Sequence, residues 1–292
     1  MTDVSVPDPG AHFLRLHDGR RLGYAECGAA EGWPVLFFHG APGSRRQVDA
    51  DMAATSAKLG VRLIAPERPG YGLSDVQSGR TPQDWAADIA RLADDKGIER
   101  FHIVGYSAGG IYALACAHDL PARVAGVALV GGFAPLRVPG VTEGMSPEVS
   151  GLCALARSDA QGLRNALAPL AGSAAAGFLA ALVQGLPEPD KRIASERSRQ
   201  FEQDFVEALR QGAEGFACDM ILASGPWGFN PAYIRTPVHL WQGEEDRNAP
   251  PAMAHYLASV LELRELFMLP GEGHLCLYNH WKAILTRLTS SR

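Results

Sequence analysis

The chain has 292 residues, enough to bury a sizeable core in one large α/β domain or two small ones. Hydrophobic residues make up 47% and charged residues 20%, the balance of an ordinary soluble globular protein. The formal net charge is -5 and no basic run is present, which excludes recognition of nucleic-acid phosphates; no run approaches the roughly 18 apolar residues that span a bilayer.

The first ten residues are polar, with two aspartates and two prolines, and lack the basic start and apolar stretch of a secretory signal. Five cysteines, Cys27, Cys116, Cys153, Cys218 and Cys276, are scattered without C-x-x-C pairing. An odd, unpatterned set reads as reduced thiols, and the expected compartment is the cytoplasm.

In chain order, His12–Leu16 and Arg21–Glu26 read as two strands of a hairpin around His17-Asp18-Gly19-Arg20. Pro34–Phe38 is a continuous apolar run, as expected of a strand covered on both faces of a parallel sheet. A helix over 45–59 and a second buried strand at Val61–Ala65 follow. The segment Thr81–Lys96 is the clearest helix, with Thr81 as cap, Pro82 in the first turn, and Trp85, Ile89 and Leu92 on one face. Phe101–Val104 is a third buried strand, 108–118 a helix and Val124–Val130 a fourth strand. This alternation implies a mostly parallel, doubly wound α/β sheet.

Near residue 134 the alternation stops. Residues 145–225 are rich in Ala, Leu, Glu and Arg and suggest short helices starting at Ser146, Ser158 and Pro187. The strand pattern resumes at Val238–Trp241, followed by a helix over Ala252–Val260, a last strand near Glu265–Leu269 and a closing helix at about 279–289. The expected organisation is a core of residues 1–133 and 232–292 with a helical lid inserted over 134–231.

Gly105-Tyr106-Ser107-Ala108-Gly109 is a G-x-S-x-G motif. The pentapeptide alone is weak, but here it ends a buried strand and opens a helix, the sharp elbow that presents a nucleophilic serine. Glycine is needed on both sides because side chains two residues from the serine would collide. The turn also aims the first helical N–H groups at a developing oxyanion. The competing reading is a glycine-rich turn that packs a helix closely on a strand.

With these residues the chain resembles the α/β-hydrolase superfamily over nearly its whole length. His39-Gly40-Ala41-Pro42-Gly43 resembles that family's oxyanion loop, which implies that the backbone N–H groups of Ala41 and Ala108 form the oxyanion hole. Arg68-Pro69-Gly70-Tyr71-Gly72-Leu73-Ser74 resembles the family's next loop, with Glu67 where an aspartate usually stands. In the family the acid and base follow the serine. Gly243-Glu244-Glu245-Asp246-Arg247-Asn248-Ala249-Pro250 is similar to the family's acid loop and selects Asp246. Residues 131–136 contain no carboxylate that would serve instead. Pro270-Gly271-Glu272-Gly273-His274 stands where the family keeps its base. Only that resembling position separates His274 from His280; the other histidines read as structural or surface, with His39 shaping the oxyanion loop.

No phosphate loop, dinucleotide fingerprint, His-Glu-x-x-His or metal-ligand cluster is visible, so neither cofactor nor metal is expected. Cys276 lies close to His274 and reads more simply as a small buried hydrophobe. The resemblance implies acyl transfer to water through Ser107, His274 and Asp246. Apolar residues of the insertion, Phe178, Leu179, Leu182, Met220, Ile221, Leu222, Trp227 and Phe229, suggest an apolar pocket, with Trp227 and Phe229 as candidate substrate contacts. The expected substrate is a moderately hydrophobic carboxylic ester, a small molecule. Alternatives are a carbon–carbon-bond hydrolase or perhydrolase using the same triad, and a small-molecule receptor on a hydrolase scaffold. The oligomeric state is not legible.

Overall fold

The computed structural model describes residues 11–171 and 175–290; the signal-free reading of Met1–Gly10 lies outside them. Strand β1 (His12–Arg15) and β2 (Arg21–Gly28) form the expected antiparallel hairpin. Then come β3 (Trp33–Phe38), α1 (Ala50–Lys58) and β4 (Val61–Pro66). The run expected to be helical over 45–59 divides in two. A 3-10 turn at Arg45–Gln47 is capped by Ser44, and α1 starts afresh at Asp49, whose carboxylate accepts from the Met52 N–H.

Helix α2 (Asp84–Asp95) starts three residues later than the Thr81 expectation. Thr81 nevertheless organises that end. Asp84 Oδ2 accepts from the Thr81 N–H at 2.7 Å, and Thr81 Oγ1 accepts from the Asp84 N–H at 3.3 Å, a reciprocal cap that encloses Pro82 in the entering turn. Strand β5 (Phe101–Tyr106), α3 (Gly109–Asp119) and β6 (Val124–Val130) complete the first half.

Between β6 and the next strand the chain leaves the sheet. It forms α4 (Pro147–Ser158), α5 (Ala160–Leu167), α6 (Ala175–Gly185), α7 (Glu188–Glu196), α8 (Ser198–Ala208) and α9 (Glu214–Ser224). Ser146 caps α4 as expected. Asp159, not Ser158, caps α5, because the Asp159 carboxylate accepts from the Gly162 N–H while the Ser158 hydroxyl donates back to the Ala154 carbonyl. The chain returns through β7 (Val238–Gly243), α10 (Pro251–Val260), β8 (Arg264–Leu269) and α11 (Cys276–Thr289), the last starting earlier than residue 279.

Among the described residues, eight strands make one sheet in the order β1-β2-β4-β3-β5-β6-β7-β8, antiparallel at the β1–β2 and β2–β4 pairs and parallel from β4 onward. Alternate residues of the central strands feed two cores. Leu36, Phe38, Ile103, Val127 and Leu129 pack with α2, α3 and α10, whereas Val35, Phe37, Val104, Ala128 and Val130 pack with α1 and α11. This two-sided burial accounts for the continuous apolar runs in the sequence. After β3 the chain turns outward to β4, and then crosses back to β5 on the other side of β3. The carboxyl ends of β3 and β5 therefore flank the crevice where the winding reverses, the usual place for a ligand on an open α/β sheet.

No described helix is long and apolar enough to cross a membrane.

Candidate active site

Ser107 occupies the elbow between β5 and α3 with φ +54°, the only non-glycine positive φ among the described residues. An L-residue in this region is strained, and the surroundings hold it there. Its N–H donates to the Val130 carbonyl at 2.9 Å. A Cβ on Gly109 would lie 2.2 Å from the Phe38 carbonyl oxygen, and one on Gly105 would lie 2.7 Å from the Ala113 Cβ. Both glycines are thus required by close backbone approach, to β3 in one case and to α3 in the other.

Helix α3 and the turns after β7 and β8 bring three side chains together that are 28 and 167 residues apart. Ser107 Oγ lies 3.0 Å from His274 Nε2, and His274 Nδ1 lies 2.8 Å from Asp246 Oδ2. Asp246 accepts at Oδ1 from the Asn248 and Ala249 N–H groups, and at Oδ2 from Gln242 Nε2 as well as from His274. Every one of these partners is a donor, so the carboxylate fixes the proton of His274 on Nδ1 and leaves Nε2 free to accept from Ser107. Burial works to lower the His274 pKa, but the charges of Asp246 and Asp190 and the Asp246 hydrogen bond outweigh it, and the net shift is upward. Gly131, at the end of β6, packs on this pair: a Cβ there would come within 3.0 Å of both Asp246 Oδ2 and His274 Nδ1. His280 turns its Nε2 to Glu272 at 3.2 Å and does not line the cavity. Glu244 and Glu245 are exposed. Cys276 is fully buried, burial pushes its thiol pKa up, and it does not line the cavity.

The loop after β3 is held rigidly. His39 Nδ1–H donates to the Gly40 carbonyl and His39 Nε2 accepts from the Arg68 N–H, while the Arg68 guanidinium donates to the His39 and Gly40 carbonyls at 2.6 and 2.8 Å. Burial and the Arg68 charge keep His39 neutral, far below its ordinary pKa. Gln47 Oε1 accepts from the Gly40 N–H. In this frame the N–H groups of Ala41 and Ala108 donate to no protein acceptor among the described residues. Glu67, buried, accepts from Arg45 and from the Leu73 N–H, and Gly72 beside it must be glycine twice over, since its φ is +49° and a Cβ would overlap the Glu67 carboxylate. The longer side chain at this position is thus built into the loop.

Three aspartates on successive inserted helices reach back to these loops, and sequence reasoning missed all three. Asp190 of α7 accepts from the backbone N–H groups of His274 and Leu275 at 2.8 and 2.7 Å. Asp204 of α8 accepts at Oδ1 from the N–H and hydroxyl of Ser44. Asp219 of α9 accepts from Arg68, Tyr71, Arg80 and Tyr112. Burial alone raises all three carboxyls. Asp190 stays raised and Asp204 is held up to about 7, whereas the Arg68 and Arg80 charges drive Asp219 below the usual carboxylate range.

A cavity of about 190 Å³ lies between sheet and insertion. Its core side is formed by Gly40, Ala41, Ser107 and His274, and its inserted side by Phe178, Leu179, Leu182, Phe205, Phe216 and Met220. Trp227 and Phe229, expected to touch substrate, do not line it. Trp227 is buried in the core with its indole N–H directed to the Ala223 carbonyl, and Phe229 packs between Trp227 and His118 of α3. They follow α9 and turn back onto the outer helix layer, so they fasten the insertion instead of facing the site.

A family model described as the Alpha/beta hydrolase family matches residues 35–287. The chain is 39% identical over 133 residues to the dihydrolipoyllysine-residue acetyltransferase component of an acetoin cleaving system from Cupriavidus necator, covering 44% of this chain and 34% of that one. It is 35% identical over 136 residues to a non-heme chloroperoxidase from Streptomyces lividans, covering 45% and 49%. The chain therefore spans between a third and a half of the length of these relatives. A hydrolase from Pseudomonas aeruginosa PA01 superposes with a TM-score of 0.73 at 18% identity, over 97% of this chain and 100% of that one, and so shares the fold.

Proposed function

Since the chain belongs to the alpha/beta hydrolase family, we propose that it is a serine hydrolase that cleaves a moderately hydrophobic carboxylic ester through an acyl-enzyme on Ser107. The observation that carries this reading is the continuous line from Ser107 Oγ through His274 to Asp246, 3.0 and 2.8 Å, opening on an apolar-walled cavity. In this mechanism His274 Nε2 takes the Ser107 proton as Oγ attacks the ester carbonyl. Asp246 holds the imidazole in the required tautomer and offsets its developing charge. The unpartnered N–H groups of Ala41 and Ala108 receive the oxyanion, and their rigid setting costs no reorganisation in the transition state. His274 then returns the proton to the leaving alcohol, and a water activated at the same nitrogen releases the acid.

Residues 134–231 act in this reading as a lid. Their apolar side chains over the cavity favour an acyl group with several carbons, while the polar groups at its margin orient it. The chemistry rests on the core and the selectivity on the insertion.

Turnover of an aryl ester by single and double variants tests the proposal. Asp246→Asn and His274→Ala should each lower kcat by about 10⁴-fold, and combining either with Ser107→Ala should add almost nothing, because the three act as one unit. Glu245→Gln and His280→Ala should remain near wild type. Additive losses, or a near-normal His274→Ala protein, would contradict the mechanism.

A further inference from the structure

Asp204 is 4% exposed and lines the cavity, on a helix turn that also carries Phe205. Its Oδ1 is fully used by Ser44, which donates from both its N–H at 2.8 Å and its hydroxyl at 2.6 Å. Its Oδ2 has no hydrogen-bond donor among the described residues and is not among the sealed polar atoms left without a partner, on a residue that lines the cavity. Nearby, Gln47 uses Oε1 on the Gly40 N–H, and its amide nitrogen is likewise without a described protein acceptor. A carboxylate oxygen left open in a largely apolar wall costs stability unless something donates to it, and few polar groups fix the orientation of a ligand in such a pocket.

We propose that Asp204 is a substrate-recognition residue whose Oδ2 accepts a hydrogen bond from a hydroxyl or ammonium group of the bound molecule. The substrate class is then an ester that carries such a donor away from its scissile carbonyl. The ester part of this statement rests on the serine-hydrolase reading, whereas the recognition of a donor does not. Asp204 keeps its other role in both cases, since Oδ1 stays with Ser44 and Oδ2 alone turns to the ligand.

Binding to the full-length Ser107→Ala protein tests this without turnover. Hexylammonium, hexan-1-ol, and a methyl ether and a methyl ketone of matched length are titrated by calorimetry. With the titrations run about two pH units above the Asp204 value of about 7, so that the carboxyl is ionised, a hydrogen bond to the charged group is strong enough that the donor ligands should bind about tenfold more tightly than the ether. Tighter binding of the ammonium identifies a charged donor, and equal or tighter binding of the alcohol identifies a hydroxyl. Asp204→Leu should abolish the preference. Asp204→Asn keeps an acceptor for Ser44 but turns an amide N–H₂ to the cavity, so the preference should pass to the ketone. Equal affinity for alcohol, ammonium and ether in the Asp204 protein, or a donor preference that survives in Asp204→Asn, would overturn the proposal. Absence of ester turnover in the wild type would instead count against the hydrolase reading, and the binding result would stand apart from it.

Discussion

The cavity sets a quantitative expectation for acyl-chain selectivity. An apolar cavity of 150 Å³ holds a benzene molecule, so about 190 Å³ suits an acyl group of about six carbons. Each methylene transferred from water contributes about 0.8 kcal/mol, or nearly fourfold in kcat/KM. Acetate to hexanoate adds four methylenes, which gives a ceiling of about 3 kcal/mol, roughly two-hundredfold. Aryl esters of two to twelve carbons should therefore rise in kcat/KM to about hexanoate and then fall. Phe178 lies over the cavity and contacts Phe205, with ring centroids 5.9 Å apart. Phe178→Ala should enlarge the space and move the optimum about two carbons longer, with the acetate rate little changed. Trp227 is buried but outside the cavity, so Trp227→Ala should cost about 3–5 kcal/mol of stability and leave the position of the optimum alone. A flat profile in the wild type and in Phe178→Ala, or an optimum that moves with Trp227 instead, would refute the assignment of the cavity to the acyl group.

Two further outcomes follow from the buried aspartates. Removing the Asp190 charge takes away one of the influences that raise the His274 pKa, and activity needs neutral His274. In Asp190→Asn the acidic limb of the kcat/KM profile should shift to lower pH, and an unshifted limb with a lower plateau would mean that Asp190 acts on the loop only sterically. Asp219→Asn leaves Arg68 and Arg80 buried without their charge partner, at a cost of about 3–5 kcal/mol, so the melting temperature should fall on the order of 10 °C. Because the Asp219 pKa is depressed in the folded state, its contribution is complete at neutral pH and is lost as pH falls from about 4 downward; the gap between the two melting curves should close in acid.

Much of the sheet was legible because both faces of its central strands are buried. Runs such as Pro34–Phe38 and Val124–Val130 have no polar phase to mislead. The elbow was legible for a similar reason: Gly105 and Gly109 answer to backbone contacts that tolerate nothing larger. Helix starts were less so, since Ser158 and Asp159 are both good caps and only the fold decides which side chain turns to the Gly162 N–H. Trp227 and Phe229 misled because an apolar residue in an insertion has two destinations, the cavity and the packing onto the core, with the same composition. The three aspartates left a signal that was overlooked. Asp204 shares a helical face with Phe201, Phe205 and Ala208, and Asp219 shares one with Phe216, Met220 and Ala223. A carboxylate at the apolar phase of a helix must find donors when it is buried. What the sequence could not supply was where those donors stand, because Ser44, Arg68 and the His274 N–H lie between 84 and 160 residues away.

Every step of the proposed reaction requires that Ser107 be an activated nucleophile. A fluorophosphonate probe offered to the full-length protein at neutral pH, followed by peptide mass mapping, reads that activation, since only an activated hydroxyl reacts readily. One adduct per chain is expected, located on Ser107 and absent from a folded Ser107→Ala protein with an unchanged melting temperature. Full labelling of Ser107→Ala, or a folded wild-type protein that takes up no label, would contradict it.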